Sequence, residues 1–247
     1  GGSVKKHVTR REFMSDSAIL VGGLAAARAS LAKASEPARR QILNFNENME
    51  YRRLGKSGLM ISAVCLGGHW KRIRAVLRSL PEGKGWLGAA GIEHPDFVKN
   101  RADVVSRCMD VGINYIDACA GGEVLSYSKA LTGRRDKMYL GYSWYEKEPR
   151  FPEWRTTEKL TQSLDEGLQA AMLDYVDLWR ITCHEPGGEH TFNESEAVVE
   201  ALDRAKKAGK ARFTGISSHD RRWLKMMIER YPNHIEVILT PYTADSH

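Results

Sequence analysis

The sequence lacks several features that would assign it to a specialised class of protein. No apolar run reaches the length of about 20 residues that a membrane-spanning helix needs. Its four cysteines are too few to hold a chain of 247 residues together through disulfides, and no two of them form the C-x-x-C pair typical of structural zinc. The sequence therefore predicts neither a spanning helix nor a disulfide scaffold, and it assigns no metal site.

A strong excess of charge is also absent from most of the chain. The formal net charge is +6, but residues 1–34 hold six Lys or Arg side chains against two acids. The remainder is nearly neutral, so no nucleic-acid interface is predicted. Hydrophobic residues make up 42% of the sequence, which is typical of a folded globular domain rather than a disordered chain.

The N-terminal segment has the order of parts found in an export signal. Arg10 and Arg11 follow a basic stretch in a context that resembles the twin-arginine motif, a modestly apolar segment covers residues 18–29, and two A-x-A sites follow. The segment is too short and too rich in Gly and Ala for a stable membrane anchor. Residues 1–34 are therefore predicted to engage the twin-arginine export machinery, with a periplasmic or secreted destination. The alternative is an amphipathic helix docked on the body.

Strand-like and helix-like segments alternate from residue 50 onward, after a polar linker over 35–49. A hairpin is predicted over 51–62, and six strands over 63–68, 113–117, 137–142, 175–181, 211–216 and 235–240. Helices are predicted over 97–110, 123–131, 157–173, 195–208 and 220–231. This alternation is typical of a parallel α/β fold. Six units in about 200 residues fit a (β/α)8 TIM barrel cut short after the sixth unit. A doubly wound sheet is the alternative, but no G-x-G-x-x-G turn follows the first strand.

Two of these helices have a clear apolar period. Inward-facing residues at helical spacing are predicted to be Val98, Ala102, Val105 and Met109 in the first, and Leu160, Leu164, Leu168 and Met172 in the second.

The sequence begins with Gly1 rather than methionine and stops at His247 directly after the sixth strand. It is therefore expected to be a fragment that lacks the C-terminal part of a longer protein.

Several short motifs occur in a fixed order along residues 50–247. They are found at 51–62, 110–117, 133–137, 173–178, 209–212 with 215–217, and 241–242. Each motif is only moderately specific, but the ordered set resembles the aldo-keto reductase family. The resemblance implies a (β/α)8 barrel that binds NADP(H) at its C-terminal mouth and moves a hydride between nicotinamide and the carbonyl of a small molecule. NAD stays open as the cofactor, because the family's phosphate contacts come from barrel units seven and eight.

The family's usual catalytic set of Asp, Tyr, Lys and His is largely replaced. Asp117 stands where the family has its Asp. The positions of the Tyr, Lys and His fall on Gly122, Ser143 and Thr182. The resemblance thus implies an oxidoreductase whose proton relay has been rebuilt from other residues.

Candidate site residues follow the C-terminal ends of the predicted strands, where barrel enzymes place their chemistry. Asp117 is the first catalytic candidate, with a structural salt bridge as the alternative. His184 is the second, because it lies two residues after Thr182 and so on the same side of the strand. Its alternative role is to cap a loop or to pair with Glu185.

Cofactor and substrate contacts are assigned to the same ends of the strands. The resemblance implies that Ser217 and Ser218 hold the nicotinamide carboxamide and that Tyr242 stacks on the ring, although Tyr242 could instead pack in the barrel. The substrate candidates, taken from their positions after the first and third strands, are His69, Trp70 and Trp144.

Three functions remain open at this point. The first is an exported NADP- or NAD-dependent oxidoreductase acting on a carbonyl or alcohol, with sugar derivatives as one substrate class. The second is a metal-assisted or cofactor-free barrel enzyme, with ligands or acid–base groups drawn from His69, Asp117, His184, Glu185 and His219. The third is a binding protein that has lost catalysis.

Overall fold

The computed structural model of the chain describes residues 42–82, 87, 89–183 and 190–242. The predicted export signal and part of the predicted linker lie outside these ranges, and so does His184. Among the residues described, there is no helix with the length and apolar character needed to traverse a bilayer.

A parallel sheet of six strands forms the centre of the fold, and its spatial order follows the chain, β3-β4-β5-β6-β7-β8. The strands are β3 (Leu66–Gly67), β4 (Tyr115–Ala118), β5 (Tyr139–Tyr142), β6 (Val176–Thr182), β7 (Ala211–Ser217) and β8 (Val237–Leu239). An antiparallel hairpin of β1 (Tyr51–Arg53) and β2 (Met60–Ser62) precedes them, as predicted. The parallel register sets Asp117 beside Gly141 and Thr182 beside Ser217, which brings the carboxyl ends of the strands together.

Helices connect the strands. They are α1 (Ile73–Val76), α2 (Ala89–Ile92), α3 (Pro95–Asp110), α4 (Gly121–Ala130), α5 (Thr157–Ala171), α6 (Phe192–Lys207) and α7 (Arg221–Arg230). Side-chain caps fix where several begin. Thr156 caps α5 and Asp220 caps α7, while Thr191 and Glu194 form a capping box on α6.

The two faces of the sheet contact different parts of the molecule. On one face, Ile116, Leu140 and Ile216 pack against the helices in the main hydrophobic core. On the other, Tyr115, Tyr139, Leu178 and Val237 form a second cluster with Leu59 of the hairpin loop. A doubly wound sheet would carry helices on both faces. The described residues therefore form a partial (β/α)8 barrel, with the hairpin against the amino-terminal side of its inner face.

Gly141 on β5 makes room for the inner face of the neighbouring strand. A Cβ atom there would lie 2.2 Å from the Tyr115 hydroxyl and 3.2 Å from Asp117 Oδ1. Any side chain at position 141 would push these groups away from the inner face. This glycine therefore lets a phenol and a carboxylate lie side by side in the barrel.

The first strand is shorter than the sequence predicted. A strand was expected over 63–68, but only Leu66–Gly67 pairs with β4, and Ala63, Val64 and Cys65 are exposed. The apolar run was therefore not a sign of burial at its first three positions.

The inward face of α3 is also rotated from the prediction. Its buried residues are Phe97, Arg101, Val105 and Cys108, whereas Val98, Ala102 and Met109 are only partly buried. The expected stripe began one residue late, at Val98 rather than Phe97. The stripe was misplaced because Arg101, a charged residue expected on the surface, is buried on the inward face. Its guanidinium lies 5.4 Å from the centre of the Trp70 ring.

The helix predicted to reach Leu173 ends two residues earlier, at Ala171. Met172 follows it in the left-handed conformation with φ of 53°, and its side chain is 87% exposed. Leu160, Leu164 and Leu168 are buried as predicted. The periodicity failed at Met172 because the helix had already ended.

Candidate active site

A cavity of about 730 Å³ lies at the carboxyl ends of the strands, within the size range of small-molecule sites. Its lining combines charged and polar side chains with an apolar rim. The lining residues are His69, Asp117, Cys119, Tyr145, Arg150, Phe151, Arg180, Thr182, Ser217, Ser218, His219, Leu239, Thr240 and Pro241.

An ion pair between Asp117 on β4 and Arg180 on β6 lies at the cavity floor. The Arg180 guanidinium lies 3.2 Å from Asp117 Oδ1 and 3.4 Å from Oδ2, and its side chain is only 2% exposed. Burial is the largest single influence and lowers the pKa of Arg180, but the surrounding groups, Asp117 first and Glu148 among the others, together outweigh it, and the pKa stands above its usual value. The guanidinium is therefore a permanent buried cation beneath the cavity.

Tyr115 adds a phenol to the same part of the inner face. Its hydroxyl lies 3.5 Å from Asp117 Oδ1. Burial raises the pKa of this phenol well above its ordinary value, and the Asp117 charge raises it further. Tyr115 therefore stays neutral and acts here as a weak donor to the carboxylate.

A chain of hydroxyl groups connects Arg180 to a buried carboxylate. Arg180 donates to Ser217 Oγ at 2.8 Å, and the Ser217 hydroxyl donates to Thr182 Oγ1 at 3.2 Å. Thr182 and Ser143 are 2.7 Å apart, and the Ser143 hydroxyl donates to Glu148 Oε2 at 2.7 Å. Since Ser143 has one hydrogen and gives it to Glu148, Thr182 must be the donor to Ser143. All the donors in the chain then point the same way, from Arg180 towards Glu148.

Glu148 holds the ends of β5 and β6 together. Its carboxylate also accepts the backbone N–H of Thr182 at 2.7 Å and that of Trp144 at 3.0 Å. Burial raises the pKa of Glu148 above its ordinary value, while the hydrogen bonds from Ser143, Thr182 and Trp144 act in the opposite direction. This buried carboxyl group connects through Ser143 to the Thr182 hydroxyl on the cavity wall.

A second carboxylate, Glu123, ties the segment after β3 to the segment after β4. It accepts the backbone N–H groups of His69 at 2.6 Å and Cys119 at 2.9 Å. The His69 and Cys119 side chains both line the cavity, and the Cys119 Sγ lies 3.6 Å from His69 Nδ1. These three residues meet at one corner of the cavity, beside Asp117.

The structure brings together five of the residues singled out from the sequence, one of which is His219. Asp117, Ser217, Ser218 and His69 all line the cavity. His184 lies outside the described residues, so its predicted role stays a prediction.

The three predicted aromatic contacts lie away from the cavity lining. Trp70 packs against the rings of Phe97 and Tyr127, with centroids 5.0 and 5.5 Å apart. Trp144 is partly buried against the main core, and Tyr142 is its aromatic neighbour. Tyr242 is 86% exposed, while Pro241 before it reaches the cavity.

Sequence reasoning missed Arg180, which is the central residue of the site. The signal was present, because a charged residue in the middle of an apolar strand is costly unless it is paired. Arg180 also precedes Thr182 by two residues and so shares its face of β6. Arg150 and Phe151 were missed as well, because the loop after β5 has no periodic pattern that shows which side chains face the cavity.

The family model described as "Aldo/keto reductase family" matches residues 87–239. The chain belongs to the aldo/keto reductase family. The matched region runs from just before α2 to the end of β8. It thus contains five of the six strands of the parallel sheet and all the cavity residues on β4, β6 and β7.

Curated relatives carry reductase and dehydrogenase names. The chain is 24% identical to "Aldo-keto reductase yakc [NADP(+)]" of Schizosaccharomyces pombe, over 66% of this chain and 50% of that protein. It is 27% identical to the 6-dehydroglucose reductase of Novosphingobium aromaticivorans, over 68% and 51%. With the L-galactose dehydrogenase of Arabidopsis thaliana the identity is 26%, over 78% and 56%. The chain spans about half the length of the curated relatives it matches.

Solved structures support the fold assignment. An aldo-keto reductase of Bacillus halodurans in its holo form superposes with a TM-score of 0.54 at 20% identity, covering 78% of this chain and 58% of that one. An aldo-keto reductase of Klebsiella pneumoniae in complex with NADPH gives a TM-score of 0.57 at 18% identity, covering 78% and 57%. At these identities the likeness establishes a shared barrel architecture and nothing finer.

Proposed function

We propose that this chain forms the greater part of the catalytic mouth of an NADP(H)-dependent oxidoreductase that interconverts a carbonyl and an alcohol on a small polar molecule. The observation that carries the proposal is the Asp117–Arg180 pair at the floor of a cavity at the carboxyl ends of an aldo/keto reductase barrel. The relatives that act on dehydroglucose and L-galactose favour a sugar-derived substrate.

The residues on the β7–β8 side of the cavity fit the nicotinamide end of such a cofactor. Ser217 and Ser218 bring polar groups to the wall, and Leu239 with Pro241 bring apolar surface beside them. A flat heterocycle with one amide needs this combination of surfaces. When bound, NADP(H) supplies the hydride. Ser217 and Ser218 would hold the carboxamide, and Tyr242, which follows the cavity residue Pro241, would stack on the ring.

The replaced catalytic set gives the chain a different way to orient substrate. The motif resemblance assigns Gly122, Ser143 and Thr182 to the positions of the family's Tyr, Lys and His. The cation is instead supplied by Arg180, which reaches Asp117 from β6 rather than from β5. The Thr182 hydroxyl lies above it on the cavity wall and would orient the substrate oxygen.

The hydroxyl chain gives the substrate oxygen a proton source. When Glu148 is protonated, its O–H donates to Ser143, Ser143 donates to Thr182, and the Thr182 hydrogen is directed at the substrate. As the oxygen accepts the Thr182 proton, Thr182 takes that of Ser143 and Ser143 takes that of Glu148. One O–H bond forms on the product and one breaks on Glu148, which ends as the buried carboxylate. After product release, water in the cavity would return a proton to Glu148 through Thr182 and Ser143.

Turnover of the Asp117→Asn variant tests the proposal. Removing the carboxylate leaves the Arg180 cation unbalanced where charge develops during the reaction, so kcat should fall about 100-fold. The assay follows NADPH consumption by the full-length protein with a panel of sugar-derived aldehydes and ketones. The matched control is Asp103→Asn, which removes an exposed carboxylate paired only with Lys99 and should leave kcat unchanged. No NADPH consumption by the parent protein, or equal kcat in Asp117→Asn and the parent, would refute the proposal.

Export remains part of the proposal. The basic stretch, Arg10, Arg11 and the apolar segment over 18–29 support secretion through the twin-arginine route, which carries proteins that are already folded. A protein that binds NADP(H) before export fits that route.

A further inference from the structure

Three metal-ligating side chains from three segments converge at one corner of the cavity. They are His69 after β3, Cys119 after β4 and Glu123 in the first turn of α4. Their ligand atoms all lie within 4.8 Å of one another. The sequence analysis offered His69 as a possible metal ligand but did not connect it with Cys119 or Glu123, because the three residues have no metal-binding spacing.

We propose that His69, Cys119 and Glu123 bind one Zn²⁺ ion, with a fourth coordination position open to the cavity. A thiolate, an imidazole and a carboxylate form a donor set that zinc accepts, and three protein ligands with an open position are the pattern of catalytic rather than structural zinc.

The distances between the donor atoms match tetrahedral zinc coordination. Cys119 Sγ and His69 Nδ1 are 3.6 Å apart, and His69 Nδ1 and Glu123 Oε1 are 3.2 Å apart. With ordinary zinc–ligand bond lengths, tetrahedral geometry requires separations of about 3.4–3.6 Å between such atoms. An ion could therefore enter the group with shifts of a few tenths of an ångström.

The same distances argue against a thiol–imidazole–carboxylate relay. In a relay the thiol and the carboxylate contact opposite nitrogens of the ring. Here Nδ1 is the nearer nitrogen to Cys119 Sγ, at 3.6 Å against 4.0 Å for Nε2, and Nδ1 also faces Glu123. The thiol and the carboxylate thus lie on the same side of the ring, near Nδ1, and all three donor atoms could contact one ion.

The surroundings hold the carboxylate in place. Glu123 is 1% exposed, and backbone N–H groups of His69 and Cys119 bind one carboxylate oxygen each. Each oxygen keeps a second lone pair for a metal. Gly68 leaves room for the Glu123 carboxylate, since a Cβ atom at position 68 would lie 1.9 Å from the Glu123 carboxyl carbon. His69 adopts a left-handed φ of 60°, which is rare for a residue with a side chain and directs its ring at Cys119.

The proposal is independent of whether NADP(H) binds. An ion at this corner would lie beside Asp117, since Cys119 is two residues further along the same segment. Its open position would face the substrate oxygen and polarise it as a Lewis acid.

The test is Co²⁺ and Zn²⁺ binding by the full-length protein after treatment with a chelator. One equivalent of Co²⁺ should produce a thiolate-to-cobalt charge-transfer absorption, and Zn²⁺ should displace it. Cys119→Ser should abolish the absorption, and His69→Gln should weaken metal affinity at least 10-fold. The matched control is Cys65→Ser, which removes an exposed thiol outside the cavity lining and should leave the absorption intact.

A second readout covers the case in which a variant does not fold. In the parent protein, Zn²⁺ should slow alkylation of Cys119, located by peptide mapping, at least 10-fold while leaving that of Cys65 unchanged. Absence of the charge-transfer absorption in the folded parent, its persistence in Cys119→Ser, or equal alkylation of Cys119 with and without Zn²⁺ would each overturn the proposal.

Discussion

Replacing Arg180 with methionine should lower the free energy of unfolding by about 3 kcal/mol, because it leaves Asp117 without its cation. Breaking a buried pair by removing one partner typically costs about 3–5 kcal/mol. Asp117 is 21% exposed and so keeps some contact with water, which places the loss at the lower end of that range. The Arg180 hydrogen bonds to Ser217 and Thr182 are lost together with the pair. Urea unfolding followed by circular dichroism measures the loss.

Two further variants distinguish loss of the Asp117–Arg180 ion pair from non-specific destabilisation of the fold. In the Arg180→Met background, Asp117→Asn should restore part of the stability, because it removes the uncompensated charge. Lys99→Met breaks an exposed pair on α3 and should change stability by less than about 0.5 kcal/mol. The explanation fails if Arg180→Met and Lys99→Met cost the same, or if Asp117→Asn adds to the loss.

Asp177→Ala should destabilise the fold by about 3–5 kcal/mol, without any direct effect at the cavity. Asp177 is 2% exposed and lies near the amino end of β6, whereas the cavity lies at the carboxyl ends of the strands. It pairs with Arg135 at 2.7 Å and Arg212 at 2.6 Å, and it accepts the backbone N–H of Leu140 at 2.9 Å. The variant therefore leaves two cations and one buried N–H without their acceptor.

The conservative variant and a neighbouring residue provide the comparison. Asp177→Asn keeps an oxygen for Leu140 and should cost less than Asp177→Ala. Asp174→Ala changes an exposed carboxylate just before the strand and should shift the unfolding midpoint little. Similar losses of unfolding free energy in Asp174→Ala and Asp177→Ala would show that the buried ion pairs of Asp177 do not stabilise the fold.

The order of the strands and helices could be predicted from the sequence because local signals agree there. Apolar periods, glycine stops and the capping residue Asp220 mark most elements to within a few residues. The capping box at Thr191 was overlooked, so α6 begins at Phe192 rather than at the predicted residue 195. The prediction failed where a tertiary contact replaced a local one. Ala63–Cys65 look like a buried strand, but the sheet pairs only the two residues that follow. Arg101 looks like a surface residue, but the rings of Trp70 and Phe97 bury it.

The candidate site could be predicted only in part. Asp117 and Ser217 were found because the ends of parallel strands meet at one edge, so position along the chain is enough to place them. Trp70 and Trp144 follow strands too, yet each packs into neighbouring structure away from the cavity. Sequence position fixes the edge at which a residue lies, whereas the direction of its side chain depends on the segment that follows the strand.

The remaining residues of the site are held in place by contacts between segments that are distant in the sequence. Arg180 meets Asp117 across β5, which lies between their strands, and Gly141 on β5 supplies the space. Glu148 and Glu123 act through backbone N–H groups of distant segments. No spacing in the sequence encodes such contacts, so they could be found only from the structure.

Fluorescence titration of the full-length protein with NADPH, and with NADH in parallel, is the most direct test of the proposed oxidoreductase function. Saturable NADPH binding with a micromolar or lower Kd, and weaker binding of NADH, is the predicted result. Failure of both nucleotides to bind up to millimolar concentration would contradict the central claim and leave a barrel whose chemistry does not use a nicotinamide.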